Sequence, residues 1–195
     1  MTCVFEWIAK NYYEVIASIA GFIGVWLTAR QNIWCWIIGL INVIFSIFVF
    51  FNAQFYAAVI LQFFYLFITI FGWYNWHKGN KDGTPLKVSK LKTKGFYIII
   101  LIFILCVSIA GYVLDRYTGD PFPYLDSFAT VGGIISTFLS ARKIIENWLF
   151  WIFIDAVATG MYLSKGLYAF FILYFIYCIM AFYGYFQWKK SIVKV

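Results

Sequence analysis

Very little of this chain is charged. Asp, Glu, Lys and Arg make up 12% of its 195 residues, against 64% hydrophobic and 24% aromatic. A soluble domain of this length has too little interior to hide so much apolar surface, so a water-soluble fold is excluded and an integral membrane protein is left. From Gln31 to Trp76 there is no Asp, Glu, Lys or Arg at all. As one helix at 1.5 Å per residue that run would be about 69 Å long, over twice the hydrocarbon thickness, so it must fold back as a hairpin.

Other absences exclude chemistries. His77 is the single histidine and stands at a span's end, so no histidine metal site can form. Cys3, Cys35, Cys106 and Cys178 are scattered without metal or redox spacing and read as small hydrophobes. There is no GxxxxGK[ST] loop, so the chain has no ATP-driven engine of its own, and no HExxH or serine-elbow motif. An aspartyl dyad needs two acids at membrane depth, and only Asp155 is placed there. Met1 to Tyr13 carries Glu6 and lacks a basic region with a small-residue cleavage site, which predicts no cleaved signal peptide. The net charge of +7 raises nucleic acid as a partner, but the bases lie in loops between hydrophobic spans, where membrane topology accounts for them. No cofactor is expected.

What is present reads as a single all-α membrane domain over 1–195 with seven spans: Val15–Ala29, Ile33–Phe51, Phe55–Trp76, Gly95–Leu114, Ser127–Ala141, Glu146–Leu163 and Leu167–Trp188. Asn52-Ala53-Gln54 is the hairpin turn, and 77–94 is a lysine-rich loop set against anionic headgroups. Asp120-Pro121-Phe122-Pro123 marks a loop on the other side. The three prolines are expected outside the spans, so none kinks a helix.

An internal repeat organises the spans. Shifted by 112 residues, Gly21 meets Gly133, Arg30 meets Arg142, Trp36 meets Trp148, Tyr56-Ala57 meets Tyr168-Ala169, Gly72 meets Gly184 and Trp76 meets Trp188, without a gap. Repeat one covers about 14–76 and repeat two about 126–188, with the linker helix 95–114 between them and a basic tail at 189–195. An odd number of spans followed by one linker span places both repeats in the same orientation, with a site expected between them. Twelve Lys and Arg fall on one side of this topology and three, Lys10, Arg116 and Lys165, on the other. The positive-inside rule then sets the amino terminus outside and the carboxyl terminus in the cytoplasm.

The candidate site centres on Glu146-Asn147-Trp148-Leu149-Phe150-Trp151-Ile152-Phe153-Ile154-Asp155. A charge at the centre of a membrane helix costs about 2.5–3.5 kcal/mol on insertion scales and commonly marks a ligand or a pathway. Trp148, Trp151 and Asp155 stand at i, i+3 and i+7 and share a face. Two indoles beside a carboxylate suit a flat, cationic, hydrogen-bonding ligand. The plainer alternative is an interfacial tryptophan belt and an acid bonded to a neighbouring helix. Asn42, with Ser46 one turn on, and Gln62 add amides near the midplane, which serve equally well as ligand contacts or as bonds between helices. Trp36, the repeat partner of Trp148, with Asn147 and Tyr174, completes the candidate set.

Several stretches resemble the PnuC family of vitamin transporters: Gly39-Leu40-Ile41-Asn42, Gln54-Phe55-Tyr56-Ala57, Leu61-Gln62, Phe71-Gly72-Trp73-Tyr74-Asn75-Trp76, Phe122-Pro123-Tyr124-Leu125-Asp126-Ser127, and Arg142-Lys143 followed by Glu146-Asn147-Trp148-Leu149-Phe150-Trp151. The resemblance runs from the first span to Trp188. It implies a seven-helix, three-plus-one-plus-three fold like a duplicated SWEET sugar-exporter bundle in the cell's inner membrane. It also implies trimeric assembly and facilitated uptake of nicotinamide riboside, trapped afterwards by a cytoplasmic kinase. Relatives carry thiamine or riboflavin. Asp155 stands where the nicotinamide riboside branch is expected to carry Asn, and both nicotinamide riboside and thiamine are cations that an acid would suit.

Two other classes compete. A substrate-capture subunit of an ATP-driven importer would use the 77–94 loop as its docking surface. A membrane enzyme would need a catalytic constellation, and none is visible.

Overall fold

A computed structural model describes residues 12–79, 84–164, 166 and 168–192. Expectations resting on Cys3, Glu6, Lys10, Lys81, Lys165 and Lys194 lie outside the described residues. Seven helices follow in order: α1 Tyr12–Ala29, α2 Trp34–Asn52, α3 Tyr56–Lys78, α4 Thr93–Tyr117, α5 Pro123–Ala141, α6 Asn147–Ser164 and α7 Tyr168–Ile192. Among the described residues the only extended pairing is one parallel bridge between Ser89 and Ile144. In α2, α3, α4 and α7 the helix is long and apolar enough to cross a membrane.

Large apolar side chains face outward along these helices: Phe67 is 70% exposed, and Phe48, Ile60, Leu101, Leu105 and Phe175 are also exposed. Lipid is the solvent that such a surface requires, since intrahelical bonds leave no backbone group unsatisfied. Exposed Tyr12, Trp34, Tyr56, Tyr117 and Tyr168 sit at helix ends, where amphipathic rings span the boundary between tails and water.

Two helix limits depart from the sequence reading. Pro123, expected in a loop, is the first residue of α5. A proline at N1 forfeits no helical hydrogen bond and its fixed φ suits the first turn. Helix α7 runs on through Lys189 and Lys190, bases in its last turn that favour the negative end of the helix dipole.

The chain divides into two compact units, 1–86 and 87–195. In the first, α2 packs against both α1 and α3; in the second, α4, α5, α6 and α7 pack each against the next. Small residues set the crossings. A Cβ on Gly111 would run into the Tyr124 ring, and one on Gly132 into Ile154.

Inside each unit, positions 112 apart adopt the same local geometry. Helix α1 ends with Gln31 N–H donating to Thr28 C=O at 2.9 Å and Asn32 N–H to Leu27 C=O at 2.9 Å; α5 ends with Lys143 to Ser140 and Ile144 to Leu139, both at 2.9 Å. These paired bonds satisfy the last carbonyls and need one left-handed residue, supplied by Gln31 at φ 56° and Lys143 at φ 51°. The next turn repeats the device with Gln54 at φ 61° and Gly166 at φ 68°. Arg30 lies over the Trp26 ring at 4.6 Å, as Arg142 lies over Phe138 at 5.8 Å.

Candidate functional site

The side chains of the second unit are set by how α6 begins. Glu146 C=O accepts the first helical bond from Leu149 N–H at 3.1 Å, and Asn147 Nδ2 donates to Ile144 C=O at 2.7 Å. Asn147 is wholly buried, and its Oδ1 has no hydrogen-bond partner among the described residues. One turn later α6 divides its faces. Phe150 and Ile154 turn to α4 and α5, forming a core with Leu139 and Ile144, and half-buried Trp151 packs on that core. Phe150 meets Phe103 edge-on at 5.5 Å, and Phe103 meets Phe128 at 5.3 Å.

The opposite face meets α7. Trp148 is 2% exposed and lies on Gly184, where a Cβ would overlap the indole. Its ring meets Trp188 edge-on at 5.6 Å and 87°. The Trp148 Nε1 donor is buried without a partner among the described residues. Stacking a ligand on this indole would require displacing it from Gly184 or Trp188.

Two turns further along, Asp155 is 5% exposed. Among the described residues no Lys, Arg or His forms an ion pair with it. Its carboxyl lies within electrostatic range of Tyr174, Tyr177 and Cys178 on α7. Tyr162, seven residues beyond Asp155, stacks on Tyr174 at 5.2 Å and on Phe170 at 5.1 Å, and Tyr174 meets Tyr177 edge-on at 6.3 Å. Thr159 Oγ1 donates to the Asp155 carbonyl at 2.6 Å, which commits its proton to the helix backbone.

Of the candidates in this unit, Asp155 and Tyr174 come together, while Trp148 and Asn147 sit at the start of α6 and Trp151 on its core face. Tyr162 and Tyr177 belong to the cluster and went unnoticed in the sequence. The heptad spacing of Asp155 and Tyr162, and the i, i+3 spacing of Tyr174 and Tyr177, carry the signal that finds them.

In the first unit, Trp36 is buried on Gly72 and meets Trp76 edge-on at 5.4 Å and 86°. Its Nε1, like that of Trp148, has no partner among the described residues. Asn42 and Gln62 are half-buried on α2 and α3. Among the described residues no group of three His, Cys, Asp or Glu is placed to hold a metal ion.

Against known proteins, residues 11–190 match the family profile described as nicotinamide mononucleotide transporter. The chain is 27% identical to the nicotinamide riboside transporter PnuC of Escherichia coli K12, over 93% of this chain and 86% of that protein. It is 25% identical to the riboflavin/roseoflavin transporter RibM of Streptomyces davaonensis, over 90% and 83%. Its fold is similar to a crystal structure of the vitamin B3 transporter PnuC, with a TM-score of 0.76, 20% identity, and coverage of 99% of this chain and 87% of that one.

Proposed function

We propose, from the premise that this chain belongs to the nicotinamide mononucleotide transporter family, that it carries nicotinamide riboside across a membrane. The observation that carries this reading is Asp155, a buried acid in α6 with no basic partner among the described residues and an aromatic cluster beside it. An intramembrane carboxylate is costly when uncompensated, and a bound cation supplies the compensation. Nicotinamide riboside brings a flat pyridinium and a polyhydroxylated ribose. Asp155 offsets the ring charge, and Tyr174, with Tyr162 and Tyr177, provides aromatic faces and hydroxyls. Trp148 and Asn147 fix the start of α6.

The helices follow a three-plus-one-plus-three order in the chain, and we read all seven as spans of a multi-pass inner-membrane protein with its amino terminus outside. With no nucleotide-binding loop, uptake is facilitated and pulled forward by phosphorylation inside the cell; trimeric assembly follows from the resemblance. Thiamine is the second reading, favoured by the acid at 155, because thiamine is also cationic. Calorimetric titration of the purified protein with nicotinamide riboside, thiamine and riboflavin tests the choice. Nicotinamide riboside should bind tightest and riboflavin weakest. Tightest binding of riboflavin ends the cation reading, and tightest binding of thiamine transfers it. Accumulation of substrate above equilibrium in kinase-free proteoliposomes would overturn the passive mechanism.

A further inference from the structure

The segment before α4 is tied to the start of α6. Ser89 N–H donates to Lys143 C=O at 2.9 Å, Ile145 N–H donates back to Ser89 C=O at 3.0 Å, and Leu91 N–H donates to Glu146 Oε2 at 3.2 Å. The Leu91 side chain packs on the core of Leu139, Ile144, Phe150 and Ile154. Alternation along an extended chain turns Lys90 and Lys92 to the opposite side from Leu91, and both are exposed, as are Lys87 and Lys94. The strap therefore has an apolar inner face seated on the α5–α6 turn and a basic outer face.

The strap also lies at the level where the membrane begins. Helix α4, one of those long and apolar enough to span, starts at Thr93, immediately after Lys92. Helix α5 ends and α6 starts at this same end, with exposed Arg142 between them. The Trp148–Trp188 contact brings the last turn of α7, with exposed Lys189 and Lys190, to this end as well. The acid at this end of the unit, Glu146, is engaged by Leu91 N–H. In the first unit the position equivalent to Glu146 is Trp34, 62% exposed.

We propose that the exposed lysines of this strap, Lys90 and Lys92 on its outer face with Lys87 at its start, are a docking surface for anionic phospholipid headgroups, and that their occupancy holds the start of α6 in place. Charge complementarity and the position of Lys92 beside the first residue of a spanning helix identify the partner. Simple retention of positive charge on one side of the membrane asks for lysines anywhere in the loop; it does not ask for a strap hydrogen-bonded to the helix that carries Asp155.

Hydrogen exchange at the Ser89 and Ile145 amides of the full chain tests this, in phosphatidylcholine vesicles with and without phosphatidylglycerol. Each lysine near an anionic surface contributes about fivefold, so protection should rise roughly tenfold or more with phosphatidylglycerol. The triple variant K87Q/K90Q/K92Q should lose that response while K87R/K90R/K92R keeps it, and K189Q/K190Q should respond as the native chain does. Indifference of the native chain to phosphatidylglycerol overturns the proposal, as does an undiminished response in the glutamine triple variant. Equal protection by inorganic phosphate in detergent would make the strap a general anion site and overturns it too. Each result is read without substrate, so it stands apart from the choice of vitamin.

Discussion

In the first unit Trp36 lies on Gly72 with Trp76 across its edge, and in the second Trp148 lies on Gly184 with Trp188 across its edge, the ring centroids 5.4 and 5.6 Å apart. The paired left-handed turns and the arginine over an aromatic ring recur as well. The residues that fill this shared frame do not recur. Val43 stands at the position of Asp155, Gly39 at that of Trp151, Cys35 at that of Asn147, Gln62 at that of Tyr174 and Asn42 at that of Ile154. The two units share the contacts that pack each of them, and their polar residues differ. The second unit holds a buried acid and a tyrosine cluster where the first holds valine and glutamine. The positions that break the repeat are thus the informative ones for recognition.

The largest effect should come from breaking the frame. Trp36→Ala and Trp148→Ala each remove a buried indole, and each should lower stability by about 3–5 kcal/mol, read as thermal unfolding in detergent. Closely matched losses support a common frame; a loss confined to one half would show that the resemblance of the two contacts is only geometric.

Asp155→Asn and Val43→Asn separate frame from filling. In the first, the cationic vitamin should bind about 10–150-fold more weakly, from loss of a charge-assisted bond worth roughly 1.5–3 kcal/mol, with thermal stability unchanged or raised. Affinity that stays constant while the melting point falls would make Asp155 structural and end its assignment to the ligand. Val43→Asn should shift stability and leave the charge preference alone.

Gly72→Ala and Gly184→Ala ask the same of the helix contacts. The added Cβ meets a rigid indole in both halves, and overpacking of this kind costs about 1–3 kcal/mol. Exchange protection along α3 and α7 should fall in the respective variant. An alanine accepted without loss at either site would mean that its indole can retreat.

Much of the frame was legible in the residues. Long uncharged runs marked the long apolar helices, and the pairs Trp36/Trp148, Gly72/Gly184 and Trp76/Trp188 marked two matching aromatic contacts. What these residues touch was not legible, because i, i+3 spacing places Trp148 and Trp151 on one face without saying which helix that face meets. Trp148 goes to α7 and Trp151 to the α4–α5 side. The tyrosine cluster was half visible: Tyr174 could be named, but Tyr162 and Tyr177 depend on the α6–α7 crossing, a long-range contact with no local signature. The strap was hidden for the same reason, since a lysine-rich loop looks alike in sequence whether it floats or pairs with a distant turn.

The smallest effect tests the turns. Gln54 and Gly166 hold equivalent left-handed positions, at φ 61° and 68°. Among the described residues no side chain or backbone atom crowds a Cβ at Gly166, so the backbone conformation is what opposes a substitution there. Gly166→Ala should therefore cost about 1 kcal/mol. In the reverse direction Gln54→Gly relieves the same strain, but it also enlarges the conformational entropy of the unfolded chain by a comparable amount. Its net effect should be a few tenths of a kcal/mol at most, seen as a nearly unmoved melting temperature. If Gly166→Ala proves as neutral as Gln54→Gly, the turn after α6 relaxes out of the left-handed region, and the equivalence of the two turns fails at this point.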